Sequence, residues 1–302
     1  MGICVGLHNA FKAKEEQKMI KTSGEFFSVK DTLECGQIFR FTDIGNGRYF
    51  VISGDKACIA YNERDKAVIE CEAEDEEYFI NFFDLKRDYS GIYNAALKEN
   101  VPFLTAAANS GKGIRILNQN KEEMLFSFIV SQNNNIPRIK KILGRTADAL
   151  GEKRIFKNIP YGTFPTATVM SEYDQNFYAG LGLGYRAAYI KQNADKLSGG
   201  YDLNNLDNLT TPELKKELLS LYGVGPKVAD CISLFAFHRT DSFPVDTWIE
   251  KVYKEDFSGK ETDRKKITEY FTERFGDNSG YVQQYVFNYK RNVEAKQTLK
   301  DE

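Results

Sequence analysis

The stretch "LYGVGPKVADCISLFAF", Leu221–Phe237, constrains this chain more than any other. Just before it, "TTPELKKELLS" starts a helix. Thr211 can cap that helix, Pro212 is a favoured first residue, and Leu214, Leu218 and Leu221 recur on one face. Gly223 ends it. "GVG" then makes a tight turn, in which glycines tolerate positive φ and leave backbone N–H groups open. Pro226 opens a second helix with Val228, Ala229, Ile232 and Phe235 on its apolar side. Local chemistry alone therefore predicts two helices joined by a G-x-G turn. Taken by itself, the pattern fits an ordinary antiparallel helix pair slightly better than a functional one.

Lys227 shifts that balance. It lies in the first turn of the second helix, where the positive end of the helix dipole works against an ammonium and favours a neutral, nucleophilic amine. A solvated surface lysine is the alternative. Nineteen residues on, "FPVDTWIEKVY" reads as an extended Phe-Pro-Val segment, an N-capping Asp246, and a helix carrying Ile249, Val252 and Tyr253. Capping accounts for the aspartate, yet an acceptor held by backbone N–H groups also suits a developing cation. A helix rises about 1.5 Å per residue and an extended return covers about 3.3 Å, so the return can bring Asp246 back toward Lys227. A nucleophile beside an anionic stabiliser suits cleavage at an acetal-like carbon through an oxocarbenium ion. The open N–H groups of a helix N-terminus also suit a nucleic-acid phosphate.

Composition narrows the classes. The 302 residues suffice for a core and two domains. No window approaches the roughly 18 uninterrupted apolar residues of a membrane span. The start, "MGICVGLHNAFKAKEEQK", is too polar for a secretory signal, and Gly6 stands where myristoylation wants Ser or Thr. A cytoplasmic protein is expected. Cys4, Cys35, Cys58, Cys71 and Cys231 are odd in number and form no C-x-x-C pair, which fits a reducing compartment and argues against zinc. Only Cys231 lies beyond residue 71, so an iron–sulfur cluster in the second half lacks its ligands. The net charge of −2 argues mildly against nucleic acid, but removing the six acids of "IECEAEDEEY" changes it to +4. That block reads as a solvated face.

"FFSV", "GQIFRF", "RYFVIS" and "CIAY" cluster β-formers between turn signals, so the chain from about residue 24 to 80 reads as strands. From roughly residue 105 onward, helical spacing dominates. The expected fold is α+β: residues 1–23 an N-terminal extension, 24–105 a β-rich domain, and 106–302 a larger, all-helical domain. The extension and the charged tail after Asn292 are expected to be poorly ordered.

Seven ordered stretches, "CGQIFRF", "FDLKRDYSGIY", "FSFIVSQNNNIPRI", "GLGYRAAYI", "GVGPKVADC", "PVDTW" and "GYVQQYVF", make the chain resemble the helix–hairpin–helix, Gly-Pro-Asp base-excision glycosylases. Within that superfamily it resembles the eukaryotic type of 8-oxoguanine DNA glycosylase/AP lyase, from about residue 24 to 292. The resemblance implies a TATA-binding-protein-like N-terminal domain packed on a helical glycosylase domain. It implies that Lys227 attacks the anomeric carbon and forms a Schiff base, that Asp246 supports the charge on the sugar, and that the excised base assists β-elimination of the 3′ phosphate. Gly36 would accept the N–H at ring nitrogen seven of 8-oxoguanine, which guanine lacks. Cys231 and Phe287 would sandwich the flipped base, with Gln283 reading its edge and Phe235 lining the same pocket.

For the duplex, the resemblance implies that Asn133 fills the vacated stack, Tyr185 is an aromatic wedge, and Arg138 and Arg186 read the orphaned cytosine. Gly223 and Gly225 of the hairpin would grip the backbone. A cation held by the backbone carbonyls of Leu219, Leu221 and Val224 is also implied; no other cofactor is required. The expected partner is double-stranded DNA containing 8-oxoguanine, met by a monomer that works at the nucleoid in a prokaryote or the nucleus in a eukaryote. Two departures stand out. Trp248 occupies the place where many relatives carry histidine, and Pro137 lies within the cytosine-reading stretch. The competing readings are a glycosylase of the same superfamily for other damaged bases, and a non-catalytic helix–hairpin–helix DNA-binding module.

Overall fold

The computed structural model describes residues 16–301. Strands β1 (Gln17–Ser23), β2 (Phe41–Asp43), β3 (Arg48–Ser53), β4 (Lys56–Glu63) and β5 (Lys66–Glu72) form one antiparallel sheet of order β1-β5-β4-β3-β2. Alternation along the strands sends side chains to two faces. Val51, Cys58, Ala60 and Ile69 face a cluster completed by Leu33 of α1 (Val29–Glu34) and by Phe79 and Phe82 of α2 (Glu76–Phe82). Phe50, Ile59 and Val68 face the other way, onto Phe156 of a hairpin formed by β6 (Lys153–Phe156) and β7 (Ile159–Gly162).

The remainder is helical. The helices are α3 (Tyr89–Lys98), α4 (Pro102–Gly111), α5 (Lys121–Ser131), α6 (Ile136–Leu150), α7 (Ala167–Ser171) and α8 (Gln175–Gly180). They continue as α9 (Arg186–Ser198), α10 (Thr211–Leu218), α11 (Pro226–Ala236), α12 (Thr247–Glu255), α13 (Arg264–Phe275) and α14 (Ser279–Asp301). One apolar cluster gathers α5, α9 and α11 through residues such as Leu125, Ile129, Ile190 and Ile232. A second gathers α4, α12 and α14 through Leu104, Ile249, Val282 and Val286. Among the described residues, no helix is long and apolar enough to cross a membrane.

The α+β plan holds, with local corrections. Gln17–Ser23, read as part of an extension, is the edge strand, paired with β5 from Gln17 opposite Glu72 to Ser23 opposite Lys66. Its side chains are exposed or half-buried, so it carries no apolar signal. Residues 1–15, including Cys4, lie outside the described residues. "FFSV" does not form a strand: the Ser28 hydroxyl accepts the Asp31 N–H at 3.2 Å and caps α1. The expected boundary at residue 105 falls inside α4, which packs along α14. The helix of α14 runs on through the expected tail to Asp301. The acidic block is only partly a solvated face. Glu70 is buried and takes hydrogen bonds from Arg48 at 2.9 Å, Tyr61 at 2.8 Å and Lys157, while buried Asp75 pairs with Lys56 at 2.5 Å.

One buried ion pair ties the two parts together. The Arg40 guanidinium stands 3.6 Å from Glu123 of α5 and also donates to the Gly162 carbonyl. Glu123 in turn accepts the Gly54 N–H at 2.6 Å, from the β3–β4 turn. Burial nevertheless pushes the Glu123 carboxyl above its usual range, and Arg40 only partly offsets this. Removing one partner of such a pair strands the other charge in the core, at a cost of about 3–5 kcal/mol. Glu123→Gln is expected to lose about that much in urea unfolding, and Arg40→Met combined with Glu123→Leu should recover most of it.

Candidate active site

The hairpin is built from the glycines outward. α10 begins one residue earlier than its sequence suggests: Thr210 is the N-cap, its N–H and hydroxyl donating to Glu213 at 2.9 and 2.6 Å. Pro212 is then the second helical residue. Gly223 has φ +73, and a Cβ there would stand 2.4 Å from the Tyr189 ring, so both conformation and space demand glycine. Asn193 of α9 grips the turn by exchanging two hydrogen bonds with the Tyr222 backbone, at 2.8 and 3.0 Å. Gln132 donates to the Gly223 carbonyl at 2.8 Å. Gly225 is the extended N-cap of α11. The N–H groups of Gly225, Lys227 and Val228 have no acceptor among the described residues.

Lys227 therefore sits at an open helix N-terminus. It is half-buried, with its Nζ 5.5 Å from the centre of the Phe128 ring. Phe128 stacks on Phe235 with centroids 5.6 Å apart and planes 14° apart, and meets Phe39 edge-on. Beneath this wall, Asp230 is buried against Lys215 at 2.7 Å. Burial raises the Asp230 carboxyl, against the pull of Lys215 and Lys227.

Asp246 caps α12. One oxygen, Oδ1, accepts the N–H groups of Trp248 and Ile249, both at 3.0 Å. Oδ2 accepts no hydrogen bond among the described residues. Burial dominates the Cys231 thiol; the Lys227 charge opposes that effect and the Asp246 charge adds to it. Lys227 and Asp246 form no direct ion pair. The place of the expected histidine is taken by half-buried Trp248, over whose ring Lys251 lies at 5.1 Å.

Of the residues expected in the base pocket, Gly36 and Phe287 meet directly. Gly36 has φ +96, and a Cβ there would stand 3.4 Å from Phe287, so the bare glycine faces that ring. The Gly36 carbonyl takes no hydrogen bond among the described residues. Gln283 is buried, its Nε2 donating to the Pro244 carbonyl at 3.3 Å and its Oε1 accepting from Gln284 at 2.8 Å. Its amide orientation is thereby fixed. Cys231 and Phe235 belong to the first apolar cluster, and Phe287 packs against the second, so the site lies on the seam between them.

A second group of residues forms one surface. Asn133 is exposed at φ +45, its Nδ2 3.5 Å from the hydroxyl of Tyr185, which is 52% exposed. Arg138 is exposed, its backbone N–H capped by Asn135 and its guanidinium 3.5 Å from the Gly182 carbonyl. Pro137 sits in the first turn of α6, where no N–H is needed, and leaves the helix undistorted. Arg186 is placed otherwise than a free base reader: it is only 3% exposed. Its guanidinium donates to the carbonyls of Gln132, Asn133 and Leu183, and so holds the Asn133 loop in its left-handed turn.

The order of motifs, the hairpin lysine and the capping aspartate together define a family. A model of the 8-oxoguanine DNA glycosylase N-terminal domain matches residues 19–125, and one of the HhH-GPD superfamily base excision DNA repair proteins matches residues 126–276. A solved structure of MBOgg1 with a low-affinity DNA ligand is 36% identical, covering 94% of this chain and 98% of that one with a TM-score of 0.87. A Clostridium acetobutylicum 8-oxoguanine glycosylase/lyase, in complex with duplex DNA carrying cytosine opposite the lesion, is 34% identical. It covers 93% of this chain and 99% of that one, with a TM-score of 0.85. A probable N-glycosylase/DNA lyase of Methanothermobacter thermautotrophicus is 29% identical over 69% of this chain and 72% of its own length. The chain belongs to the 8-oxoguanine DNA glycosylases of the HhH-GPD superfamily.

In this glycosylase, sequence reasoning passed over Phe128, Gln132 and Asn193, which carry the wall beside Lys227 and the clamps on the hairpin. The first two lie inside a quoted motif, "FSFIVSQ", but neither has a spacing that singles it out. One property is directly measurable. Burial pushes the Cys231 thiol up to about 11, outweighing the opposing charge of Lys227. A raised thiol stays protonated at every pH below that value, so Cys231 is neutral over roughly pH 6–9 and a poor nucleophile. Iodoacetamide at pH 8 is expected to leave Cys231 unlabelled in the folded protein and to label it after denaturation, as read by peptide mass spectrometry.

Proposed function

We propose that this protein excises 8-oxoguanine from double-stranded DNA, preferentially opposite cytosine, and cleaves the strand at the site it creates. The observation that carries the reading is Lys227 at an open helix N-terminus beside the Phe128 ring, with Asp246 capping the next helix through a single oxygen. Unpartnered N–H groups of Gly225, Lys227 and Val228 offer phosphate a seat and draw the backbone to the amine. The Lys227 nitrogen attacks C1′ as the bond to the base breaks. The free Oδ2 of Asp246 faces the positive charge building on the sugar, while its Oδ1 stays fixed by α12. The amine and the opened sugar form a Schiff base. Loss of a proton from C2′ then expels the 3′ phosphate, with the departed base as proton carrier.

Recognition follows from the same seam. The unpartnered Gly36 carbonyl accepts the N–H at ring nitrogen seven, where guanine presents a lone pair instead. A buried acceptor left unpaired costs about 1–3 kcal/mol, which separates the two bases. Phe287 and Cys231 hold the faces of the base, Phe235 closes the pocket, and the remaining amide valences of Gln283 read the edge. Tyr185 wedges the duplex, Asn133 enters the vacated stack, and exposed Arg138 reads the orphaned cytosine, with Arg186 shaping the loop from below. One copy of the chain meets one lesion, at the nucleoid or in the nucleus. A cation on the hairpin fits the carbonyls of Leu219, Leu221 and Val224: the first and last accept no hydrogen bond among the described residues, and Leu221 accepts only the Val224 N–H at 3.2 Å. Such a cation would stiffen the turn at the phosphate.

Two experiments decide the reading. Borohydride added to the enzyme and an 8-oxoguanine:cytosine duplex is expected to trap a covalent complex that Lys227→Gln abolishes. Tight binding without base release would instead leave a plain DNA grip. Asp246→Asn keeps the cap but removes the charge. It is expected to slow excision by about 10²- to 10³-fold with little loss of stability, while Asp246→Ala also loses about 1 kcal/mol from the helix end.

A further inference from the structure

We propose that Arg291 of α14 is a positioning residue that sets the lesion specificity of the pocket by fixing the peptide on which Gly36 hangs. The inference rests on the reading of Gly36 and Phe287 as the base pocket. The Arg291 guanidinium is the group nearest to where a Gly36 side chain would stand: Nη1 lies 3.1 Å from an ideal Cβ at that position, closer than Phe287 at 3.4 Å. It reaches across from the last helix to the N-terminal domain. Nη2 donates to the Glu34 carbonyl at 2.7 Å, and Nη1 lies 3.5 Å from that of Cys35. Nη2 is also 3.2 Å from Asn288 Oδ1, and the guanidinium stands 5.3 Å from the centre of the Phe287 ring. Burial works against its charge and pulls it below the usual guanidinium range, with Cys35, Glu34 and Asp246 acting in the opposite sense.

Peptide planarity turns these contacts into control of an acceptor. Holding the Cys35 carbonyl fixes the whole Cys35–Gly36 peptide, because the C=O and the following N–H share one plane. On the far side, the next residue is already fixed. The Gln37 side chain donates to the carbonyls of Thr32 at 3.0 Å and Arg115 at 2.7 Å and accepts the Leu117 N–H at 2.8 Å. The Gln37 carbonyl accepts from Gln119 at 2.8 Å. Gly36, at φ +96 and without a side chain, links the held Cys35–Gly36 peptide to the clamped Gln37. Its carbonyl direction is therefore set by Arg291 from one side and Gln37 from the other. The discrimination between an N–H and a lone pair at ring nitrogen seven depends on that direction. Arg291 also braces Phe287, so one residue ties the acceptor to the stacking wall.

The test compares two activities of the full-length enzyme. Excision of 8-oxoguanine opposite cytosine needs the Gly36 acceptor; cleavage of a duplex carrying a preformed abasic site needs Lys227 but no base. Arg291→Met is expected to lower kcat/KM for excision by about 10- to 100-fold while abasic-site cleavage stays within about twofold. Arg291→Lys, which keeps a charge near Phe287 but loses the planar fork that faces the Glu34 and Cys35 carbonyls with separate nitrogens, should fall between, and it serves where the methionine variant fails to fold. Unchanged excision in both variants, or an equal fall in both activities, overturns the proposal. A wild-type enzyme that cleaves abasic duplex but releases no 8-oxoguanine overturns the proposed substrate, and this inference with it.

Discussion

The position of one amine governs this structure. In the proposed mechanism Lys227 has to stand where a deoxyribose will arrive, and a lysine side chain carries about 2 kcal/mol of rotamer entropy that must be restrained. The chain restrains it with a face rather than a salt bridge. The Phe128 ring lies beside the amine, backed by Phe235 and flanked by Phe39, so three aromatics from three segments make a flat apolar wall. An anion in direct contact would hold the ammonium and blunt the nucleophile that the proposed mechanism requires. Asp246 is accordingly kept busy with the N-terminus of α12, near enough to bear on Cys231 yet not paired with the lysine.

Polar clips hold the loops around that amine. Gln132 on Gly223, Asn193 on Tyr222 and Arg186 on the carbonyls of Gln132 and Asn133 link the hairpin, the Asn133 loop and α9 into one frame. Each clip satisfies backbone groups that would otherwise be left without partners beside the core. The frame thus couples the surface that would open the duplex to the turn that would hold its phosphate. A shift of the Asn133 loop drags Gln132, and Gln132 drags the carbonyl of the hairpin glycine.

The helix–turn–helix at Leu214–Phe235, the capping aspartate and the order of the β-rich and helical parts were legible because they are local: glycine, proline and capping chemistry act over a few residues. What was hidden is long-range. β1 is an edge strand with no apolar face, visible only through its partner β5. The β6–β7 hairpin exists because Phe156 covers a sheet face more than eighty residues upstream. Glu70 and Asp75 look like part of a solvated run, but Lys157 and Lys56 reach them from elsewhere and make their burial tolerable. Arg186 is the clearest case. Its neighbour Tyr185 is an exposed aromatic, and nothing in "GLGYRAAYI" says that one side chain points outward and the next inward.

The two halves of the site also differ in how firmly they are held, and the chemistry explains why. The pocket side is clamped: Gln37 is fully buried with its amide donating to two carbonyls and accepting the Leu117 N–H, and Gln283 is locked between Pro244 and Gln284. In the proposed recognition, an N–H and a lone pair at ring nitrogen seven can be told apart only by an acceptor whose position does not adapt. The duplex side is looser, with Asn133, Arg138 and Tyr185 exposed and carrying contacts at 3.5 Å. In the proposed function those residues seize a base pair that is coming apart, and their partners arrive with the DNA. Rigidity is placed where discrimination needs it, and freedom where the substrate supplies the missing contacts.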